Sequence, residues 1–124
     1  MLNIISIFIG GGLGAVSRYL CGITALKYFH VNFPVATLFV NLLGGFIIGF
    51  LYIFFIDKTE INSALKLALT VGFCGGLTTF STFSLELFEM IGNHHFVQAF
   101  TYAFISVMIC MMAVAVGAYF AKYL

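Results

Sequence analysis

The chain has 124 residues, a length that suits one domain, and its formal net charge at pH 7 is +1. Hydrophobic residues make up 63% of it and charged residues 7%, against roughly 45–50% and about 25% in typical soluble domains. This composition excludes an ordinary soluble protein, because so apolar a surface could not be hydrated. We therefore expect lipid to be its solvent.

The few charged residues separate four long apolar stretches. A membrane-spanning helix needs about 20 mostly apolar residues, so each stretch predicts one span. The stretches are too long for the strands of a membrane β-barrel, and they do not alternate. We expect an all-α membrane protein, a single transmembrane domain over residues 1–124, with helices over approximately residues 2–27, 33–56, 62–90 and 97–122.

Cysteine and histidine give no metal-binding pattern in this sequence. Cys21, Cys74 and Cys110 all fall within apolar segments, and their spacing matches no metal motif. We interpret them as small buried residues. His94 and His95 are adjacent in a polar connection, and together they supply too few ligands for a metal ion.

The distribution of lysine and arginine gives little information about orientation. Four spans place both termini on one side of the membrane. Lys58, Lys66 and Lys122 then lie on that side, and Lys27 and Arg18 lie on the other. A three-to-two distribution is too even for the positive-inside rule to predict an orientation. Either one or two charges fix the orientation, or the chain inserts both ways. In the second case two inverted copies would resemble the inverted repeats of larger transporters.

An arginine lies at membrane depth in the first predicted helix. Arg18 follows Gly10 and Gly14 and precedes Gly22, each four residues apart on one face. Small residues allow close helix packing, so the guanidinium would lie against protein. Either the side chain extends to the membrane interface, or its charge makes the protein interior attractive to an anion.

Polar residues form stripes on the second and fourth predicted helices. Asn41 is followed four and eight residues later by glycines, and Tyr102, Ser106 and Cys110 are spaced four apart. Hydrogen bonding between helices would explain either stripe. The spacing alone therefore leaves their role open.

The centre of the third predicted helix is the most informative segment. Three glycines among residues 72–76 are followed by four hydroxyls among residues 78–82. Each interior glycine costs roughly 1 kcal/mol relative to alanine, so the cluster predicts a break in the helix. A break within a bilayer is tolerated only where the freed backbone groups are buried in protein or line water. The N-terminus of the following half-helix would attract an anion. Close helix packing through the glycines is the alternative.

Two phenylalanines follow the predicted break. Phe80 and Phe83 lie three residues apart and are interleaved with Thr79, Ser81 and Thr82. The edge of an aromatic ring is electropositive, so these rings could contact an anion along a polar path.

Three motifs resemble the Fluc family of small dual-topology fluoride channels. They are residues 10–19 (GGGLGAVSRY), residues 41–44 (NLLG) and residues 72–83 (GFCGGLTTFSTF), and the likeness covers essentially the whole chain. The resemblance implies an antiparallel homodimer with two pores that exports fluoride passively. Its setting would be the inner (plasma) membrane of a microbe, with the lipid bilayer as the surroundings and no enzymatic or nucleic-acid-binding role.

The resemblance also implies roles for particular residues. Asn41 would hydrogen-bond fluoride near a pore entrance, and Arg18 matches the arginine of the family. The carbonyls of Gly75 and Thr78, from both subunits, would hold a structural sodium ion at the dimer centre. Cys110 stands where we expect another hydroxyl. The residues expected to line the fluoride path are Asn41, Thr79, Phe80, Ser81, Thr82, Phe83, Tyr102 and Ser106.

Two other functions are compatible with four short membrane spans. A small multidrug exporter also has four helices and dual topology, but it needs a glutamate in the first helix and tryptophans, and this sequence has neither. A structural subunit of a larger membrane complex is the other alternative.

The nearly even charge distribution predicts that both membrane orientations are populated. A cysteine introduced into the 57–62 loop should then be labelled from both sides of a sealed membrane by an impermeant reagent. Labelling from one side only would contradict dual topology.

Overall fold

The computed structural model describes residues 1–28, 33–57 and 61–123. Four of its helical segments are long and apolar enough to cross a membrane, and no strand occurs in these ranges. The all-α membrane architecture is therefore confirmed. Lys58, which entered the charge count, lies outside the described residues.

Three of the spans are continuous helices, and the third is divided. The continuous helices are α1 (Leu2–Tyr28), α2 (Val35–Asp57) and α6 (Phe96–Ala121). The third span comprises α3 (Ser63–Leu67), a π-helical segment (Ala68–Cys74), α4 (Gly75–Leu77) and α5 (Phe80–Gly92).

Glycines bring the spans together in two pairs. Helix α1 packs along the first half of the third span, and α2 packs along α6. A Cβ atom at Gly14 would collide with the backbone of Phe73 and Leu77. In the other pair, a Cβ atom at Gly49 would collide with the backbone of Val114. In a membrane, lipid removes the hydrophobic attraction between helices, so close backbone contact of this kind drives their association.

The third span breaks near its centre, as predicted, but after the glycine cluster. Gly75 has helical dihedral angles, φ −64° and ψ −37°. A Cβ atom at Gly76 would collide with the backbone carbonyl of Gly11, so this glycine serves close packing against α1. The extended residues are Thr78 (φ −77°, ψ 157°) and Thr79 (φ −150°, ψ 123°). The segment therefore combines both expected features: close packing at a glycine, Gly76, and a break in the helix at Thr78 and Thr79.

The glycine contacts predict a difference between two neighbouring positions on α1. Gly14→Ala should lower the free energy of unfolding by about 1–3 kcal/mol, because the added methyl group overpacks a backbone contact. Gly12→Ala is the matched control, since nothing lies within 4 Å of a Cβ atom there. It should be neutral or stabilising, by up to about 1 kcal/mol of helix propensity. Thermal unfolding in detergent measures both, and equal effects would contradict the packing role of Gly14.

Candidate functional site

The break in the third span is held by the side-chain amide of Asn41. Asn41 Nδ2 donates to the Thr79 carbonyl at 3.0 Å, and Asn41 Oδ1 accepts from the Thr79 N–H at 2.8 Å. In a continuous helix this N–H would bond to the Gly75 carbonyl instead. One side chain on α2 therefore satisfies both backbone groups of the extended residue.

Arg18 supports the same break from α1. Its Nη1 donates to the Thr78 carbonyl at 2.9 Å, and the side chain is half-buried against protein. The positive charge thus lies at the C-terminal end of α4 and close to the start of α5. Both helix termini at the break are held by residues from other helices.

The hydroxyls after the break bond to one another. Thr79 caps α5, because its Oγ1 accepts from the Thr82 N–H at 3.2 Å. The same oxygen donates to Thr82 Oγ1 at 3.0 Å and lies 3.3 Å from Ser81 Oγ. This cluster gives the first turn of α5 a defined polar surface.

A cavity of about 500 Å³ opens beside the break, between α2, the third span and α6. It brings together seven of the predicted site residues, while Tyr102 lies fully buried behind Phe83. Ser81 is exposed and lines neither this cavity nor the one described next. The residues lining the cavity are Asn41, Gly44, Gly45, Ile48, Thr70, Cys74, Gly75, Thr78, Thr79, Phe80, Phe83, Ser106, Val107 and Cys110.

A second cavity, of about 360 Å³, lies on the other side of the break. Arg18 lines it together with the hydroxyl-bearing residues Thr37, Thr79 and Thr82. It therefore combines a cation with the N-terminus of α5, two features that favour an anion. The Thr37 and Thr79 hydroxyls already donate to Glu86 and to Thr82.

Three aromatic rings form a series from the surface inwards. The ring centroids of Phe80 and Phe83 are 5.7 Å apart, and those of Phe83 and Tyr102 are 5.1 Å apart. Phe80 is 79% exposed, Phe83 is 9% exposed and Tyr102 is fully buried. The first ring is thus free to face a molecule outside the subunit, while the other two are fixed by the protein.

Glu86 is a residue of the site that the sequence motifs did not indicate. Its Oε1 accepts from Thr37 Oγ1 at 2.6 Å, and its Oε2 accepts from the Tyr102 hydroxyl at 2.8 Å. Glu86 thereby joins α5 to both α2 and α6. Its position in an apolar span, three residues after Phe83, is the signal that could have identified it.

Ser106 differs from the other hydroxyls at this site. Its Oγ is buried and makes no hydrogen bond of standard geometry among the described residues, although it interacts with the Tyr102 hydroxyl, and the residue is 6% exposed. A buried hydroxyl without such a bond is uncommon, because it costs the free energy of its lost hydration. Since Ser106 lines the larger cavity, it is a candidate contact for a small polar species there.

Comparison with known proteins supports what the motifs indicated. Residues 5–118 match the model of a family described as CrcB-like protein, Camphor Resistance (CrcB). The chain belongs to the CrcB-like family. A relative from Geobacter metallireducens is 39% identical over the whole of both chains, and one from Gloeothece citriformis is 40% identical over 98% of each. Both are named fluoride-specific ion channel FluC.

A third relative shows the highest identity of the three over a shorter segment. The protein from Clostridium perfringens, also named fluoride-specific ion channel FluC, is 53% identical over 85 residues. This segment covers 68% of the CrcB-like chain and 66% of the relative. The resemblance predicted from the three sequence motifs is therefore confirmed.

The double hydrogen bond of Asn41 predicts a large effect of its removal. Asn41→Ala should lower the free energy of unfolding by about 2–4 kcal/mol, because both backbone groups of Thr79 lose a partner. Thr24→Val is the control, since Thr24 Oγ1 bonds only to Leu20 O within its own helix. That change should stay within about 0.5 kcal/mol. Equal destabilisation of the two variants in thermal unfolding would show that the amide does not hold the break.

Proposed function

We propose that this multi-pass membrane protein is a subunit of a fluoride-selective channel that exports fluoride passively from a microbial cell. The observation that supports this most directly is the larger cavity, in a family whose relatives are named fluoride-specific ion channels. Among the described residues that line the cavity none is acidic, so no fixed negative charge there repels an anion.

Fluoride is small and strongly hydrated, so a pathway must replace its water with other donors. The amide nitrogen of Asn41 has two hydrogens and uses one for the Thr79 carbonyl. Its second N–H and the buried hydroxyl of Ser106 are the conventional donors. The electropositive edges of Phe80 and Phe83 supply further contacts between them.

An antiparallel homodimer would complete the pathway. The cavity is open on one side, where Phe80 is mostly exposed and nothing lies within 4 Å of a Cβ atom at Gly75. A second copy on this face would cover the ring and leave a path at each side of the interface. The nearly even distribution of lysine and arginine is compatible with an inverted second copy.

A structural sodium ion at the dimer centre is part of the proposal. The Gly75 carbonyl is free of its helical partner, because the Thr79 N–H bonds to Asn41. The Thr78 carbonyl accepts one bond from Arg18, which leaves its second lone pair. Two copies would offer about four carbonyl oxygens, the kind of ligand that hard cations prefer. The ion would support the dimer and would not be transported.

Arg18 would then act at long range instead of binding fluoride in the pore. It lies in the second cavity with Thr37, Thr79 and Thr82, outside the larger cavity. Its charge would raise the local concentration of anions at the entrance to the pathway.

Liposomes that contain only this protein test the proposal. They should release fluoride down its gradient without a coupling ion, and they should not release an organic cation. Release of the cation would instead support a multidrug exporter. Release of neither fluoride nor the cation would support a structural subunit.

The same assay tests the phenylalanine rings. Phe80→Ile and Phe83→Ile keep an apolar side chain but remove the ring edge, and each should strongly reduce fluoride efflux, by about tenfold or more for a contact worth 1.4 kcal/mol. Oligomeric state must be measured on the same samples, and it should be unchanged. Undiminished flux in both variants would show that the rings serve only packing.

A further inference from the structure

Two apolar cavities meet at Phe39 of α2, away from the residues of the functional site. One, of about 630 Å³, lies between α2 and α6, and the other, of about 380 Å³, lies between α1 and α2. Val35 and Phe39 line both cavities, and Phe39 is 50% exposed. Each volume falls within the range of pockets that bind small molecules. We call the two cavities together the paired groove.

The lining of the paired groove suits a hydrocarbon occupant. Every residue that lines the cavity between α2 and α6 is apolar. In the other cavity Thr24 is the one residue with a hydroxyl, and its Oγ1 already donates to the Leu20 carbonyl at 2.7 Å. Cys21, which lines the same cavity, behaves in packing as a small apolar residue. A polar ligand would therefore lose its hydration here without gaining hydrogen bonds.

The paired groove lies on a different face from the one proposed for the second copy. On α2 the larger cavity is lined by Asn41 and Ile48, whereas the paired groove is lined by Leu38 and Leu42. At 3.6 residues per turn these two sets point in different directions. The α1 side is also open, because a Cβ atom at Gly22 would meet nothing within 4 Å. The molecules that face the paired groove are therefore those of the surrounding bilayer.

The length of the paired groove matches one leaflet of that bilayer. Val35 is the first residue of α2 and thus lies near a membrane surface. Phe46, which lines the same cavity, is eleven residues further along, or about 17 Å at 1.5 Å per residue. The hydrocarbon core of a bilayer is about 30 Å thick, so the cavity reaches roughly its middle. One acyl chain of a phospholipid spans the same depth.

A lysine lies at the surface end of the paired groove. Leu20, Thr24 and Lys27 follow one another at intervals of four and three residues, so they share one face of α1. The first two line the cavity between α1 and α2, and Lys27 lies in the last turn of the helix. Beside it Tyr28 is 68% exposed, as is common for tyrosine at a membrane surface. The ammonium group of Lys27 is thus placed where a lipid headgroup would lie.

We propose that the paired groove binds one anionic phospholipid, with an acyl chain on each side of Phe39 and the phosphate near Lys27. Two adjoining apolar cavities fit the two chains of a single lipid, and the lysine complements its negative charge. The site is separate from the proposed fluoride pathway. Its test needs no measurement of fluoride, so the two proposals can fail independently.

The experiment uses the whole protein, stripped of lipid in detergent and then given phosphatidylglycerol or phosphatidylcholine. Native mass spectrometry counts the lipids retained by each assembly and the number of subunits in it. Ala25→Phe fills the cavity between α1 and α2, which Ala25 lines. Ile23→Phe is the matched control on the same helix, since Ile23 is 46% exposed and lines neither cavity. Lys27→Gln removes the charge at the surface and tests the headgroup position.

Wild-type protein should retain one phosphatidylglycerol per subunit, and it should prefer this lipid to phosphatidylcholine by about fivefold, as expected for one lysine near an anionic headgroup. Ala25→Phe should retain about tenfold less, because one acyl chain loses its packing contacts. Ile23→Phe should behave as wild type, and Lys27→Gln should bind both lipids equally.

Three results would overturn the proposal. They are the absence of retained lipid in the wild type, equal retention by Ala25→Phe and Ile23→Phe, and an unchanged lipid preference in Lys27→Gln. If a second copy covered the paired groove instead, the wild type would retain no lipid and Ala25→Phe would reduce the number of subunits in the assembly. Thermal unfolding of the same samples shows whether Ala25→Phe is folded, and the wild type and Lys27→Gln test the site without it.

Discussion

The structure depends on hydrogen bonds to the backbone N–H and C=O groups at the break in the third span. The surrounding hydrocarbon of the membrane offers no hydrogen bonds to these groups. An unpaired N–H or C=O group costs several kcal/mol in hydrocarbon. Asn41 and Arg18 remove that cost at Thr79 and Thr78, from two different helices. Both helices must therefore lie close to the third span. The glycine faces of α1, which allow backbone contact near Phe73, make that approach available on one side.

The residues that hold the break are also those proposed to act on an anion. Asn41 uses one amide hydrogen for Thr79 and keeps the other. Arg18 gives one hydrogen bond to a carbonyl, which leaves its positive charge unneutralised by that contact. Structure and anion attraction therefore use different atoms of the same side chains, so substitutions at either position affect folding and flux together. Measurements of flux at these positions need a measurement of stability beside them.

The polar groups around the larger cavity are held to very different degrees. Tyr102 is fixed by Glu86, which also receives a hydrogen bond from Thr37, whereas Ser106 on the same face of α6 makes no hydrogen bond of standard geometry among the described residues. The hydrogen bond between Tyr102 and Glu86 keeps the aromatic series in place. Ser106, which lines the larger cavity, is the more loosely held polar group that a small species could contact.

The sequence by itself determined the four spans, because the length and hydropathy of each uncharged stretch depend on neighbouring residues alone. It also determined the family, since residues 72–83 form a long and specific motif, and it predicted that the third helix is interrupted. Only the tertiary structure decided that the interruption lies at Thr78 and Thr79 and not at the glycines. The partner of the Thr79 N–H is 38 residues away in sequence, and the hydrogen bonds of Glu86 likewise join three helices. Which polar group is satisfied and which is left free depends on what packs against it, and local sequence patterns do not contain that information.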